Sequence, residues 1–252
     1  MASSPHILFL FMGASNLARG YSLLTRHISS CFGKNKTEFL NALGPGRGFC
    51  ARGGMFNFTY PPIQDCRILE VAKKKSCNIR AVLITDIGND LMYGVLADTL
   101  IESLDGLIGR ALQWDAEIFL TSIHVSLKKD VSPTMFFILK SFFYPGSSIT
   151  YEEADLFITK VNGYLEEKAR KNERVYLISG MKSFTGMDKI HYSFLKTHSA
   201  WEKIANEICH VLKVPVQKKM RLADGISSII ANLYRLIFCD MFRFQKKGRE
   251  YF

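Results

Sequence analysis

The 252-residue sequence contains no run of about 18 apolar residues of the kind a membrane-spanning helix requires. It has no internal repeat and no low-complexity stretch. Its six cysteines (Cys31, Cys50, Cys66, Cys77, Cys209 and Cys239) form no CxxC pair and share no spacing. That argues against a zinc site or a disulfide framework and for reduced, mostly buried thiols. Phosphate-binding signatures are missing as well. The loop 44–58, GPGRGFCARGGMFNF, is rich in Gly and Arg, but it fits neither the P-loop spacing nor GxGxxG. Near the N-terminus, ILFLFM followed by Gly13-Ala14 imitates a signal-peptide core, but no Lys or Arg precedes it. Cleavage there would remove the first strand candidate, so the expected compartment is the cytoplasm. Acidic residues are in short supply, 23 against 33 Lys and Arg, for a net charge of +10. Such an excess suits an anionic partner: a membrane surface, nucleic acid or an acidic substrate.

What is present is enough to bury a full core, with 48% hydrophobic and 22% charged residues. Apolar strand candidates at 6–12, 37–43, 79–86, 116–123 and 174–179 alternate with amphipathic helix candidates. The helices are expected at 16–31, 64–75, 94–113, 131–142, 151–171 and 195–212. Regular strand–helix alternation implies a parallel sheet covered on both faces, because parallel connections need crossovers. The expectation is a three-layer α/β/α domain over 1–214 with a flavodoxin-like five-stranded sheet, followed by a tail over 215–252. Such sheets bind ligands beyond the carboxyl ends of their strands. Chemistry is therefore expected in the loops 13–16, 44–58, 86–93, 124–130 and 180–194.

Four of those loops carry suggestive residues. Ser15 sits where the first strand turns into a helix, and it reads either as a nucleophile near a helix N-terminus or as an N-cap. The glycines of 44–58 allow a backbone N–H to approach a ligand closely, as an oxyanion donor must, or simply make a flexible turn. Strand 79–86 runs into Gly88-Asn89-Asp90, where Asn89 can donate through its amide and Asp90 can accept backbone N–H bonds. An Asx-turn explains the same residues equally well. The spacing Asp188-x-x-His191 can set a carboxylate against one imidazole nitrogen while the other faces outward. No cofactor is implied. Asp188, His191 and His198 lack a third firm partner, so no metal site is expected.

These blocks resemble those of the SGNH (GDSL) hydrolase superfamily. They are most similar to a bacterial branch with GASNLxRG, GPGR, TDIGNDLxYG and DxIH, over about 6–212 and not the tail. Here the blocks are Gly13 to Gly20, Gly44 to Arg47, Thr85 to Gly94, and Asp188 to His191. The resemblance implies Ser15 as nucleophile, His191 as general base and then acid, and Asp188 as the orienting carboxylate. It implies an oxyanion hole from the Ser15 N–H, the Gly46 N–H (counting from Asn41, with Gly48 as fallback) and the Asn89 amide. Two departures stand out. The usual GDS is Gly13-Ala14-Ser15, without the Asp, and GxND is compressed to Gly88-Asn89-Asp90. Arg47, next to the oxyanion glycine, either pairs with a substrate carboxylate or phosphate or ties its loop to Asp86 or Asp90. Tyr93 is a second candidate substrate contact, and Arg52, His124 and Lys189 are other polar residues expected near the mouth.

The expected activity is hydrolysis of an ester (a carboxylic ester, lipid or O-acyl group) through an acyl-enzyme. The same site could serve an acyltransferase, and a degenerate domain could serve a non-catalytic lipid-binding or scaffold protein. The aromatic stretch Met135 to Tyr144 reads as a core-facing helix, or else as a lid or wall for an acyl chain. The tail 216–252 carries eight basic and three acidic residues around an apolar helical period from Ile226 to Phe244. It reads as an amphipathic helix that either meets an anionic membrane, at its inner face, or packs on its own domain or another chain. Nucleic acid is not expected, since no reader motif accompanies the basic clusters.

Overall fold

The computed structural model describes residues 6–54, 59–216 and 219–235. Its elements, in chain order, are β1 (Ile7–Gly13), α1 (Ser15–Phe32), β2 (Thr37–Leu43), α2 (Ile68–Lys74) and β3 (Ile79–Ile84). Next come α3 (Asn89–Met92), α4 (Ala97–Leu112), β4 (Glu117–Thr121), α5 (Leu127–Asp130) and α6 (Pro133–Phe143). The series closes with α7 (Tyr151–Lys171), β5 (Val175–Ile178), α8 (Thr197–Val211) and α9 (Leu222–Arg235). The five strands form one parallel sheet in the order β2-β1-β3-β4-β5. The fold is the three-layer α/β/α arrangement expected from the alternation.

Period-two alternation divides the apolar residues between two cores. Leu8, Leu10 and Met12 of β1 face one side with Val82 and Ile84 of β3, against Leu104 of α4 and Val161 of α7. Ile7, Phe9 and Phe11 face the other, with Leu24 and Ile28 of α1 and Trp201 and Ile204 of α8. All seven residues of β1 are buried, as expected for a strand with neighbours on both edges and layers on both faces. Gly20 is required where α1 meets α8, because a Cβ there would lie 1.9 Å from the Trp201 Nε1. The α7 N-terminus is fixed by a capping box between Thr150 and Glu153.

The expected elements shift in places for local reasons. The helix expected at 64–75 begins only at Ile68, after a single 3-10 turn over Ile63–Asp65. The β3 strand stops at Ile84, and Asp86 beyond it takes a left-handed φ of 57°. The helix expected at 94–113 begins only at Ala97, beyond Gly94 at a φ of 76°, and a separate short helix, α3, forms within the expected loop 86–93. A larger correction concerns α6. Only Phe136 is buried among its residues, whereas Met135, Phe137, Ile138 and Phe142 are exposed. It is a wall beside a cavity and not a core helix. In the tail, α9 packs against α1 and α8, while the apolar positions expected from Leu236 to Phe244 lie outside the described residues.

Candidate active site

The site begins with the short turn between β1 and α1. Gly13 has no room for a side chain, since a Cβ would sit 2.9 Å from the Thr85 carbonyl oxygen. Ser15 is the first residue of α1, and Ala14, not Ser15, occupies the cap position without any side-chain cap. Two amides of this turn are satisfied from another loop. Asp86 Oδ2 accepts from the Ala14 N–H at 3.1 Å and from the Leu17 N–H at 2.9 Å. Its Oδ1 accepts from Asn16 Nδ2 at 3.0 Å. A carboxylate at a helix N-terminus also meets the favourable end of the helix dipole. This brace leaves the Ser15 hydroxyl for another partner.

That partner is His191. Its Nε2 lies 3.0 Å from Ser15 Oγ, and its Nδ1 lies 2.6 Å from Asp188 Oδ2. Asp188 Oδ1 accepts the backbone N–H groups of Ile190 and His191, at 3.1 and 2.9 Å. Burial alone would raise the Asp188 carboxyl, but the His191 ring and these amides hold it down to about 2. The structure thus joins Ser15, His191 and Asp188 in one chain of contacts across 176 residues of sequence.

A further network holds the histidine loop against the serine turn. Asn16 Nδ2 also donates to the Ile190 carbonyl at 3.2 Å, and its Oδ1 accepts from the Tyr192 N–H at 2.9 Å. The same Ile190 carbonyl lies 2.9 Å from His124 Nε2, which must carry the hydrogen because a carbonyl only accepts. Burial pulls His124 below the usual imidazole range, so its ring is neutral and its tautomer set by this bond. Arg19 completes the clamp by donating to the Tyr192 carbonyl at 2.9 Å. Asp86 and Lys189, both with left-handed backbones, lie within this assembly, where strain is commonly stored.

On the opposite side, Asn89 opens α3. Its Nδ2 donates to the Arg47 carbonyl at 3.1 Å, and its Oδ1 accepts from the Tyr144 hydroxyl at 3.2 Å. Burial keeps the Tyr144 hydroxyl protonated by pushing its pKa up, so the amide orientation follows from the bond. An amide nitrogen has two hydrogens, and Asn89 lines the same cavity as Ser15. Asp90 pins the glycine-rich loop, accepting from the N–H groups of Phe49, Cys50 and Ala51 at 2.6 to 2.9 Å. Burial raises the Asp90 carboxyl, and these donors pull it back. Gly46 is left-handed at a φ of 71°, and its carbonyl accepts from the Tyr93 hydroxyl at 2.6 Å. Gly48 is crowded by Asp90, 2.7 Å from where its Cβ would be.

Two expected substrate contacts are corrected here. Arg47 is 1% exposed, and it faces inward. Its guanidinium donates to the Pro61 carbonyl and to Cys66 Sγ and lies over the Tyr60 ring, so it binds neither substrate nor Asp86 or Asp90. Tyr93 is tied down by Gly46 and by the Gly54 N–H, and its ring borders a separate depression beside Tyr144 and Pro145. Of the other polar residues expected near the mouth, His124 and Lys189 line the cavity; Arg52 does not. Asn16, Asp86 and Tyr144 carry roles that no motif spacing announced.

The cavity holding Ser15 and Asn89 continues away from them along apolar walls. Ile87, Leu91 and Ile123 come from the sheet side, and Phe136, Leu139 and Phe143 come from α6. Among the described residues no cluster of His, Cys, Asp and Glu is placed to hold a metal ion.

No protein-family model matches the sequence, and no curated protein does. Solved structures do match. One is the psychrotrophic esterase EstA from Pseudoalteromonas sp., with a TM-score of 0.52 and 11% identity, over 81% of this chain and 98% of that one. Another is a carbohydrate acetylesterase family member from Sinorhizobium meliloti, with a TM-score of 0.52 and 11% identity, over 82% and 99%. TesA is similar with a TM-score of 0.50 and 14% identity, over 80% and 97%. The chain has the SGNH hydrolase fold. Identity this low speaks for the architecture, and within the SGNH fold Ser15, Asn89 and His191 all stand at the carboxyl edge of the sheet.

Proposed function

We propose that the protein is a serine ester hydrolase that works through a Ser15–His191–Asp188 triad and an acyl-enzyme. The observation that carries this reading is the continuous contact from Ser15 Oγ through the imidazole to Asp188, at 3.0 and 2.6 Å. In the forward step, Ser15 Oγ attacks the ester carbonyl carbon while His191 Nε2 takes its proton. The new C–O bond puts the carbonyl electrons on oxygen as an oxyanion. Collapse expels the alcohol, which takes the proton back from His191. Water then repeats the sequence on the acyl-enzyme and releases the acid. Asp188 stays ionised and holds the ring, stabilising the imidazolium formed on the way.

The oxyanion is assigned to the Ser15 N–H, the Gly46 N–H and the second hydrogen of Asn89 Nδ2. The Tyr144–Asn89–Arg47 contacts support this role, because they fix the amide before substrate arrives, and preorganised donors stabilise developing charge most. The apolar cavity beyond Ser15 suits the acyl portion of the ester, in a chain longer than acetyl. Asn16, His124 and Asp86 act as positioning residues that hold the serine turn and the histidine loop in register. The test is labelling of Ser15 with a fluorophosphonate probe. Wild type is expected to label, with Ser15→Ala and His191→Ala folded but unlabelled. A folded wild type that fails to label removes the hydrolase reading. A panel of esters of increasing acyl length is expected to show a preference for chains beyond acetyl.

A further inference from the structure

Apolar side chains are exposed in a very uneven way over this molecule. Of the fifteen large ones that the described residues expose, twelve belong to three segments: α6, the loop 187–195, and α9. The first two stand at the carboxyl edge of the sheet, and the third packs on α1 and α8, which start there. The α6 helix walls the cavity at Ser15, and the loop 187–195 carries His191. The α9 helix rests on the first turns of α1 and α8. There Ser228 Oγ lies 2.9 Å from Ser22 Oγ and bonds the Arg19 carbonyl, and Gly225 sits against Thr197 and His198.

Both helices present their apolar residues the wrong way for a protein in water. In α9 the buried positions are Gly225 and Ser228, while Leu222, Ile226, Ile230 and Leu233 are 41 to 64% exposed. These four recur every three or four residues and so form one outward stripe. The α6 helix is apolar on two faces: Phe136, Leu139 and Phe143 line the cavity, and Phe137, Ile138 and Phe142 point away from it, with Thr134, Lys140 and Ser141 its polar positions. A helix with a second, exposed apolar face needs something beyond its own core to cover it. In the loop between, Met187 is 96% exposed, one residue before Asp188.

The charge around these segments selects the partner. The chain carries +10 overall, and its last 37 residues hold eight basic residues against three acidic. Lys182, Lys189, Lys196 and Lys219 are exposed beside the apolar segments. No helix of the described residues is long and apolar enough to cross a membrane, so contact would be with the surface.

We propose that the mouth-bearing end of this protein docks on an anionic lipid bilayer, with α6, the tip of 187–195 and the outer stripe of α9 set into the interface. Apolar side chains supply the insertion and the surrounding lysines the attraction to anionic headgroups. Docking on this end presents the cavity to the membrane. The proposal goes beyond hydrolysis and does not depend on it, because Ser15→Ala should bind vesicles as wild type does.

The experiment is flotation of the full-length protein with vesicles of phosphatidylcholine alone or mixed with phosphatidylglycerol. Wild type is expected to float with the mixed vesicles, more weakly with neutral ones, and less as salt is raised. Ile226→Ser with Ile230→Ser, and separately Phe137→Ser with Phe142→Ser, should each reduce vesicle-bound protein by about tenfold or more. Circular dichroism of both variants checks that they fold, and the salt dependence of wild type reads the charge contribution without any substitution. Equal recovery of wild type and both variants overturns the proposal, as does wild type that stays unbound. A wild-type dimer that these substitutions turn into monomers, without vesicle binding, assigns the surface to a second copy and overturns it too.

Discussion

The interior of the sheet and its carboxyl edge are held by different kinds of contact. Inside, Phe9, Leu24 and Trp201 are positioned by volume and burial, each through many individually weak contacts. At the edge, particular atoms have one or two specific partners: Asp86 for the Ala14 and Leu17 amides, His124 for the Ile190 carbonyl, Tyr144 for Asn89. The difference teaches where stability and activity part company. Interior contacts are many and individually weak; edge contacts are few and specific. Changes at the edge should therefore disturb chemistry far more than folding, and changes inside the reverse.

The sharpest way to break that contrast is Ser15→Ala. It should lower ester turnover by about 10^4-fold or more while leaving the urea midpoint unchanged. A large fall in stability would mean that the hydroxyl also holds the fold. Asn89→Ala comes next, with kcat expected to drop about 10^2- to 10^3-fold as one oxyanion donor is lost. An unchanged kcat would remove Asn89 from the hole. In the interior, Leu24→Ala should cost about 3 kcal/mol of stability, read from urea unfolding, while fluorophosphonate labelling of the folded fraction persists.

Acid titration sharpens the comparison further. The Asp188 carboxyl is held at about 2 in the folded chain, below the roughly 3.9 of an unfolded aspartate. A depressed carboxyl stabilises the fold above the unfolded value, and the contribution disappears as pH falls through the folded one. Wild type should thus lose stability between about pH 4 and 2 more steeply than Asp188→Asn, and parallel curves would deny Asp188 that contribution. The smallest effect is expected for Phe142→Ser. Its ring is 78% exposed, so stability should move by less than about 0.5 kcal/mol.

The interior was readable from the sequence because burial writes itself into period. The spacing of Leu17, Leu24 and Ile28 is visible without coordinates, as is the unbroken apolar run of β1, and the strand–helix alternation implies the parallel sheet. Asp188 and His191 were readable for another reason: three residues apart, they meet within a single turn. The remaining edge contacts leave no such trace. An aspartate that accepts two backbone amides from a segment some 70 residues earlier looks like any loop aspartate, so nothing in the sequence marks Asp86 as a brace. Arg47 was misleading because a guanidinium after a glycine suggests an exposed anion site. Cys66 and the Pro61 carbonyl give it an interior partner that only the fold reveals. The α6 helix misled in the opposite direction. Uniform hydrophobicity normally marks a core helix, and here it marks a wall with one side to the cavity and one to the outside.

The distance along the chain between Ser15 and His191 also has a consequence for synthesis. Ser15 leaves the ribosome before His191, the base proposed for it, which follows 176 residues later. At ordinary translation speeds that interval is roughly 10 to 35 s, during which the emerging polypeptide has a hydroxyl and no base. Asp86 arrives well before His191, so the serine turn can be braced early while the nascent chain is still inert. Products truncated anywhere before His191 would carry the serine harmlessly. On the proposed mechanism, activity can appear only after all five strands, β5 included, have been made.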